Sequence, residues 1–253
     1  MTATQPFVTT YDEAWQQFTS RATTQDESVY DATQRANTAK SAYVAFLIPV
    51  TSHAIVEATR PVREALTAAG IEDVIPSHYF HITVLGLGLE SAIRTTTGNI
   101  ARIMDRTSRA LRDVQPLMLN VRGVNSFGNA AFAEVHDQAN GLASLRDTLV
   151  RSIHQIGLPG FGESALSAES PAPEGEATQD RADKVNAPPY LPHLSLCYYH
   201  TQYPTKQVAD ILVPYRELEL GRLRLNYVTL ASIPHSDFDR FPPITRIADL
   251  LIG

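Results

Sequence analysis

Ser77-His78-Tyr79-Phe80-His81-Ile82-Thr83-Val84-Leu85-Gly86 is the stretch from which the rest of the chain can be ordered, because it has a counterpart far downstream, Leu191-Pro192-His193-Leu194-Ser195-Leu196-Cys197-Tyr198-Tyr199. Each reads as a β-strand of apolar and β-branched residues that carries a histidine and, two positions on, a hydroxyl. Strand side chains alternate between faces, so His81 shares a face with Thr83, and His193 with Ser195. Two such pairs on one cleft supply two proton-transfer groups and two hydroxyls around a single centre. The same alternation puts His78, three positions from His81, on the opposite face, so the pair is not a metal chelate.

Each stretch follows a strand and a helix. Tyr43 to Val50 reads as a buried strand, and His53 to Ala69 as a helix with Ile55, Val56, Val62 and Leu66 on one side, stopped by Gly70. Ala130 to His136 reads as a strand, and Gly141 to Ile156 as a helix striped by Leu142, Leu145, Leu149 and Ile153. The echo predicts an α+β fold with two lobes related by a pseudo-two-fold axis, their antiparallel sheets lining a central cleft and their helices outside. Between and beyond these units the spacing predicts one long helix over 90–111 and a hairpin of Leu117–Val124 with Ala130–His136 around the turn 125–129. It also predicts a short helix from Thr205 to Leu212, one long or two consecutive strands over 218–233, and a short terminal helix over 244–252.

Residues 1–41 form a polar N-terminal extension whose Tyr11, Trp15 and Phe18 have helical spacing, and they are expected to pack on the body, 42–253, as an amphipathic helix. Within the body, 158–189 has no periodic apolar face and carries six acids against Arg181 and Lys184, the composition of a flexible insertion. Residues 236–253 form a C-terminal tail.

At 253 residues, 43% hydrophobic and 19% charged, the chain can bury a substantial core. A net charge of -6 argues against a protein that coats extended nucleic acid and suits a small or terminal phosphate better. The single cysteine, Cys197, excludes an internal disulfide and a cysteine-based zinc site, and its apolar strand makes it a buried thiol. No signal-peptide pattern and no apolar run of the ~20 residues a membrane helix needs are present, so a cytoplasmic protein without a membrane partner is expected.

The tetrapeptides His81-Ile82-Thr83-Val84 and His193-Leu194-Ser195-Leu196 match the H-x-[T/S]-hydrophobic signature, and residues 42–233 resemble the two-histidine (2H) phosphoesterase superfamily, which includes RNA 2',3'-cyclic phosphodiesterases and 2'-5' RNA ligase-like proteins. The resemblance implies a hydrolase acting on a 2',3'-cyclic phosphate of an RNA end or small cyclic nucleotide, with His81 and His193 catalytic and Thr83 and Ser195 on the phosphate. It implies no cofactor and no metal. Cleavage of 2'-5' linked or cyclic oligonucleotides, and a non-catalytic receptor for nucleotides or RNA ends, stay open alongside it, as does which histidine is base and which acid.

The chemistry stands apart from the resemblance. In-line displacement at phosphorus needs a base on the attacking water and an acid on the leaving oxygen. Histidine, with an unperturbed pKa of ~6.5, serves as either, and hydroxyls donating to non-bridging oxygens stabilise the charge that develops. Tyr79 and Tyr199 are candidates for stacking on a base, and Arg122, with Arg222 or Arg224, for contacting phosphate. The chain is expected to act as a monomer.

Overall fold

The computed structural model describes residues 9–24, 42–71, 73–94, 98–137, 139–157, 190–199, 201–234 and 241–253. The acidic stretch 158–189 lies outside them, as does most of the N-terminal extension. Among the described residues, eight strands form one antiparallel sheet: β1 Tyr43–Pro49, β2 His81–Leu89, β3 Leu117–Ser126, β4 Ala130–Asp137, β5 His193–Tyr198, β6 Glu219–Leu225, β7 Tyr227–Ile233 and β8 Thr245–Leu251. The α-helices among the same residues are α1 Tyr11–Thr19, α2 His53–Ala68, α3 Glu90–Arg94, α4 Asn99–Leu111, α5 Gly141–His154 and α6 Thr205–Leu212.

The strand order, β6-β3-β4-β5-β2-β1-β7-β8, is two four-stranded halves laid end to end. Read outward from the middle, β5-β4-β3-β6 matches β2-β1-β7-β8, and β4-α5-β5 repeats β1-α2-β2, which is the pseudo-two-fold, bilobal α+β arrangement expected. The halves meet through one register pair, Ile82 with Leu194. They are interlocked by their helices: α2, which follows β1, packs on β5 and β6, while α5, which follows β4, packs on β2. Ile82 and Leu194 are both fully buried, which stabilises the junction by roughly 1.5–3 kcal/mol per side chain.

The helices and one sheet face enclose a single large core. Val44, Phe46 and Ile48 of β1 point into it, alongside Ile55, Val62 and Leu66 of α2 and Leu142, Leu145 and Leu149 of α5. The intervening residues Ala45 and Leu47 form a separate small cluster with Ala231 on the other face. This explains why β1 reads as an unbroken apolar run: it is covered on both sides.

Two local readings change, and one left open is resolved. The helix over 90–111 is two pieces, α3 and α4, because Gly98 takes a left-handed φ of 86° just before Asn99, which a continuous helix cannot contain. The 218–233 stretch is two strands that separate at Asn226, β6 pairing with β3 in one half and β7 with β1 in the other. The terminal segment is strand β8 rather than a helix. It hydrogen-bonds along β7, with Thr229 opposite Asp249 and its hydroxyl donating to the Asp249 carboxylate at 2.8 Å, and so satisfies the open edge that β7 would otherwise present.

Register shifts interrupt several strand pairs, and two of them bear on the site. In β3 the register passes from Arg122 opposite Glu134 to Val124 opposite Ala133, with Gly123 between them at φ 71°. A Cβ on Gly123 would lie 2.8 Å from the Arg216 carbonyl and 3.1 Å from the Glu134 carboxylate. In β5 the register passes from Ser195 opposite Phe132 to Cys197 opposite Ala131. Gly123→Ala is therefore expected to cost about 1–3 kcal/mol and to move the urea unfolding midpoint down at unchanged slope; an unchanged midpoint would show that the bulge relaxes without cost.

Candidate active site

His81 opens β2 and His193 opens β5, the two strands that meet at the junction. Continuing the antiparallel register one residue to either side of the Ile82–Leu194 pair sets His81 opposite Ser195 and Thr83 opposite His193. All four side chains then lie on the face away from the helices, and all four are at least partly exposed, whereas the alternate residues Ile82, Leu194 and Leu196 are buried. The two histidines are diagonal neighbours across the strand pair, a Cα separation of roughly 7–8 Å. The structure thus brings together the four residues that the two tetrapeptides single out.

Each imidazole is held the same way. Nδ1 of His81 donates to the Tyr79 carbonyl at 2.7 Å, and Nδ1 of His193 to the Leu191 carbonyl at 2.9 Å. A carbonyl only accepts, so the proton of each neutral ring sits on Nδ1 and the lone pair on Nε2. Desolvation is the main cause that lowers both pKa values below the ordinary histidine range, against a smaller raising effect of the carbonyl bond; the charge of His193 lowers His81 further.

Aromatic rings wall the histidines. Phe127, from the turn between β3 and β4, stands edge-on to His193 at 5.1 Å between centroids, and Phe132 lies 5.3 Å from it, stacked on Phe127 at 4.2 Å. Tyr190 donates its hydroxyl to the Thr83 carbonyl at 3.1 Å, a second tie across the junction, and Arg146 of α5 lies over its ring at 5.4 Å. The sequence does not single out Phe127, Phe132 or Tyr190 as site residues. The one signal that reaches them is position: Tyr190 lies three residues before His193, and Phe127 in the turn at the head of β4.

Of the aromatic candidates, Tyr79 belongs not to a strand but to a 3-10 turn over Ser77–Tyr79 that turns the chain into β2. Its ring is nearly buried and sits edge-on to His81 at 5.4 Å and to Phe241 at 5.4 Å. His78, on the same turn, is exposed. Tyr199 does not face the cleft at all. The bulge in β5 shifts the alternation by one, so Tyr199 is fully buried with its hydroxyl hydrogen-bonded to Ser126 at 2.8 Å, and partly exposed Tyr198 stands on the accessible side, its ring stacked on Phe241.

Arg122 is exposed on β3, in the row Arg122–Glu134–His193, so the Glu134 strand separates it from the histidine. It lines a polar cavity of about 340 Å³ with Tyr11, Glu134, His136 and Arg216. Burial pushes the Glu134 carboxyl up, but hydrogen bonds from His136 and Asn125 and the charge of Arg216 outweigh it and leave it below the usual carboxylate range. Arg222 and Arg224 stand exposed on edge strand β6, with β3 and β4 between them and His193. Cys197 is buried. Among the described residues no group of three or more His, Cys, Asp or Glu side chains is arranged to hold a metal ion, and no helix is long and apolar enough to cross a membrane.

No curated protein matches the sequence. Solved structures do match the fold. TT0787 of Thermus thermophilus superposes with a TM-score of 0.56 at 14% identity, over 83% of this chain and 97% of that one. LigT of E. coli in its apo form gives 0.55 at 12% identity, over 84% and 98%, and LigT complexed with 3'-AMP gives 0.51 at 11%, also over 84% and 98%. At these identities the likeness speaks for the fold. The family model described as the 2'-5' RNA ligase superfamily matches residues 48–233, which span both histidine strands and every strand from β2 to β7. On that match the chain belongs to the 2'-5' RNA ligase superfamily, the 2H phosphoesterases.

Proposed function

We propose that the protein is a phosphodiesterase that opens a 2',3'-cyclic phosphate, at an RNA end or on a small cyclic nucleotide, by general acid/base catalysis through His81 and His193 without a metal. The observation that carries the reading is the diagonal of two Nδ1-tethered imidazoles interleaved with Thr83 and Ser195 on one accessible face. E. coli LigT has been solved with phosphate and with 3'-AMP, which supports a phosphate site in this fold.

With a cyclic phosphate over the junction, Nε2 of the neutral histidine takes a proton from water as its oxygen bonds to phosphorus. The second histidine, protonated at Nε2, gives its proton to the ribose 3' oxygen as the P–O3' bond breaks, leaving a 2'-phosphate. The mirror assignment, with the 2' oxygen leaving, uses the same groups with roles exchanged. Thr83 and Ser195 donate to the non-bridging oxygens, where negative charge grows. A second reading, action on a 2'-5' linkage, is favoured by the family description; it needs the same four groups, with the 5' oxygen of the next nucleotide leaving in place of the ribose 3' oxygen.

The test is turnover of 2',3'-cyclic nucleotides in EDTA. His81→Ala and His193→Ala are each expected to lower kcat by at least about 10²–10⁴-fold, and Thr83→Ala or Ser195→Ala by about 10²-fold. Activity that survives both histidine substitutions overturns the assignment. A panel with 2'-5' linked oligonucleotides separates the two readings, and tight binding without turnover across it makes the cleft a receptor.

The acid/base pair also sets a pH profile. Catalysis needs one ring protonated and one neutral, and desolvation places both pKa values below 6.5 in the free protein. The protonated fraction therefore declines as pH rises through that lowered range, and kcat/KM, which reports the free enzyme, is expected to peak on the acid side of pH 6.5 and fall above it. A profile that climbs to a plateau above pH 8 would contradict this.

A further inference from the structure

The β4·β5 ladder runs from Ala130 opposite Tyr198 to Glu134 opposite His193 and stops there. The next rung would join Val135 to Pro192, and Pro192 has no N–H to donate. The gap is filled from outside the sheet. The hydroxyl of Tyr11, in α1, lies 2.7 Å from the Val135 carbonyl and 2.6 Å from the Pro192 carbonyl, and accepts from the Val135 N–H at 3.0 Å. A phenol is both donor and acceptor, so it serves the backbone groups that the missing rung leaves open. The rung lies directly beside His193 and one residue from Leu191, whose carbonyl holds the His193 ring.

Tyr11 is itself rigidly placed. Thr10 caps α1 in a capping box with Glu13, which sets Tyr11 at the first helical position. Asn125 donates to its backbone carbonyl at 2.8 Å and to Glu134 at 2.8 Å. The Tyr11 ring lies 4.8 Å from that of His136 and 6.3 Å from that of Phe132, which also neighbours His193. One turn on, Trp15 lies 4.6 Å beneath the Arg216 guanidinium, which pairs with Glu134 at 3.0 Å. Burial raises the phenol pKa, so the hydroxyl keeps its proton.

We propose that Tyr11 is a positioning residue for His193: its hydroxyl replaces the ladder rung that Pro192 cannot make, and so fixes the carbonyl that selects the Nδ1–H form of the catalytic ring. Tyr11 lies outside the residues 48–233 that match the superfamily, so the device comes from this chain's N-terminal segment. The inference rests on His193 working as proposed above, and its primary readout does not require turnover.

Tyr11→Phe keeps the ring and removes the hydroxyl. Nitrogen-detected NMR of the imidazoles in the full chain is expected to show His193 leaving the single Nδ1–H tautomer for a mixture while His81 is unchanged. With a 2',3'-cyclic nucleotide as probe, kcat is expected to fall about ten- to a hundredfold with KM within about threefold of the parent. Pro192→Ala in the Tyr11→Phe background restores an N–H at the rung and is expected to recover the His193 tautomer in part. This double variant also decides the matter should the single one fold poorly. An unchanged His193 tautomer overturns the proposal, and so does a change shared equally by His81, which would mark Tyr11 as a general packing residue. If the parent chain turns over no cyclic nucleotide while the tautomer responds as described, the proposed function fails and the positioning role stands.

Discussion

One pairing, Ile82 with Leu194, joins the two halves of the sheet, and the site depends on it. Antiparallel register makes every side chain on one strand answer to one on the other. Fixing a single pair of buried apolar residues therefore fixes which hydroxyl stands beside which histidine. A slip by one residue would turn the histidines into the core and Ile82 and Leu194 outward. The hydrophobic preference of those two side chains is thus also what holds the chemical groups in place. The interlocked helices resist separation of the halves, since α2 and α5 each pack on the half that does not lead into them.

The same junction sets the electrostatics. Both rings are desolvated, both present Nδ1 to a carbonyl two residues earlier in the chain, and the charge of one disfavours protonation of the other. An empty cleft therefore favours two neutral imidazoles. An anion between them reverses that preference for one ring, because a nearby negative charge stabilises the imidazolium. Under the proposed function, the acid is in this way created by the substrate's own charge, and neither histidine needs a carboxylate partner to be set up for its task.

What could be read before folding was the periodic part. His81 with Thr83 and His193 with Ser195 follow from strand alternation, and the strand-helix-strand echo follows from apolar spacing, so the pseudo-two-fold architecture was legible. The departures come where backbone geometry interrupts periodicity. Gly98 splits a helix whose apolar spacing runs straight through it, and the β5 bulge carries Tyr199 into the core and Tyr198 out. A bulge is a property of two paired strands, so one strand's alternation cannot reveal it. Strand β8 forms because β7 has an open edge, which is likewise a fact about the partner. Tyr11 reads from spacing as a packing anchor; its hydroxyl acquires a role only because Pro192 lies where the ladder needs an N–H.

The proposed function makes the junction a phosphate clamp built from two equivalent halves. A crystal structure of the full chain with inorganic phosphate or vanadate tests it most directly. The anion is expected over the Ile82–Leu194 pair, with Nε2 of His81 and Nε2 of His193 on opposite sides of it and the hydroxyls of Thr83 and Ser195 each within about 2.5–3.0 Å of an oxygen. An anion bound instead by Arg122 and Arg216, with the space between the two histidines left to water, would contradict it.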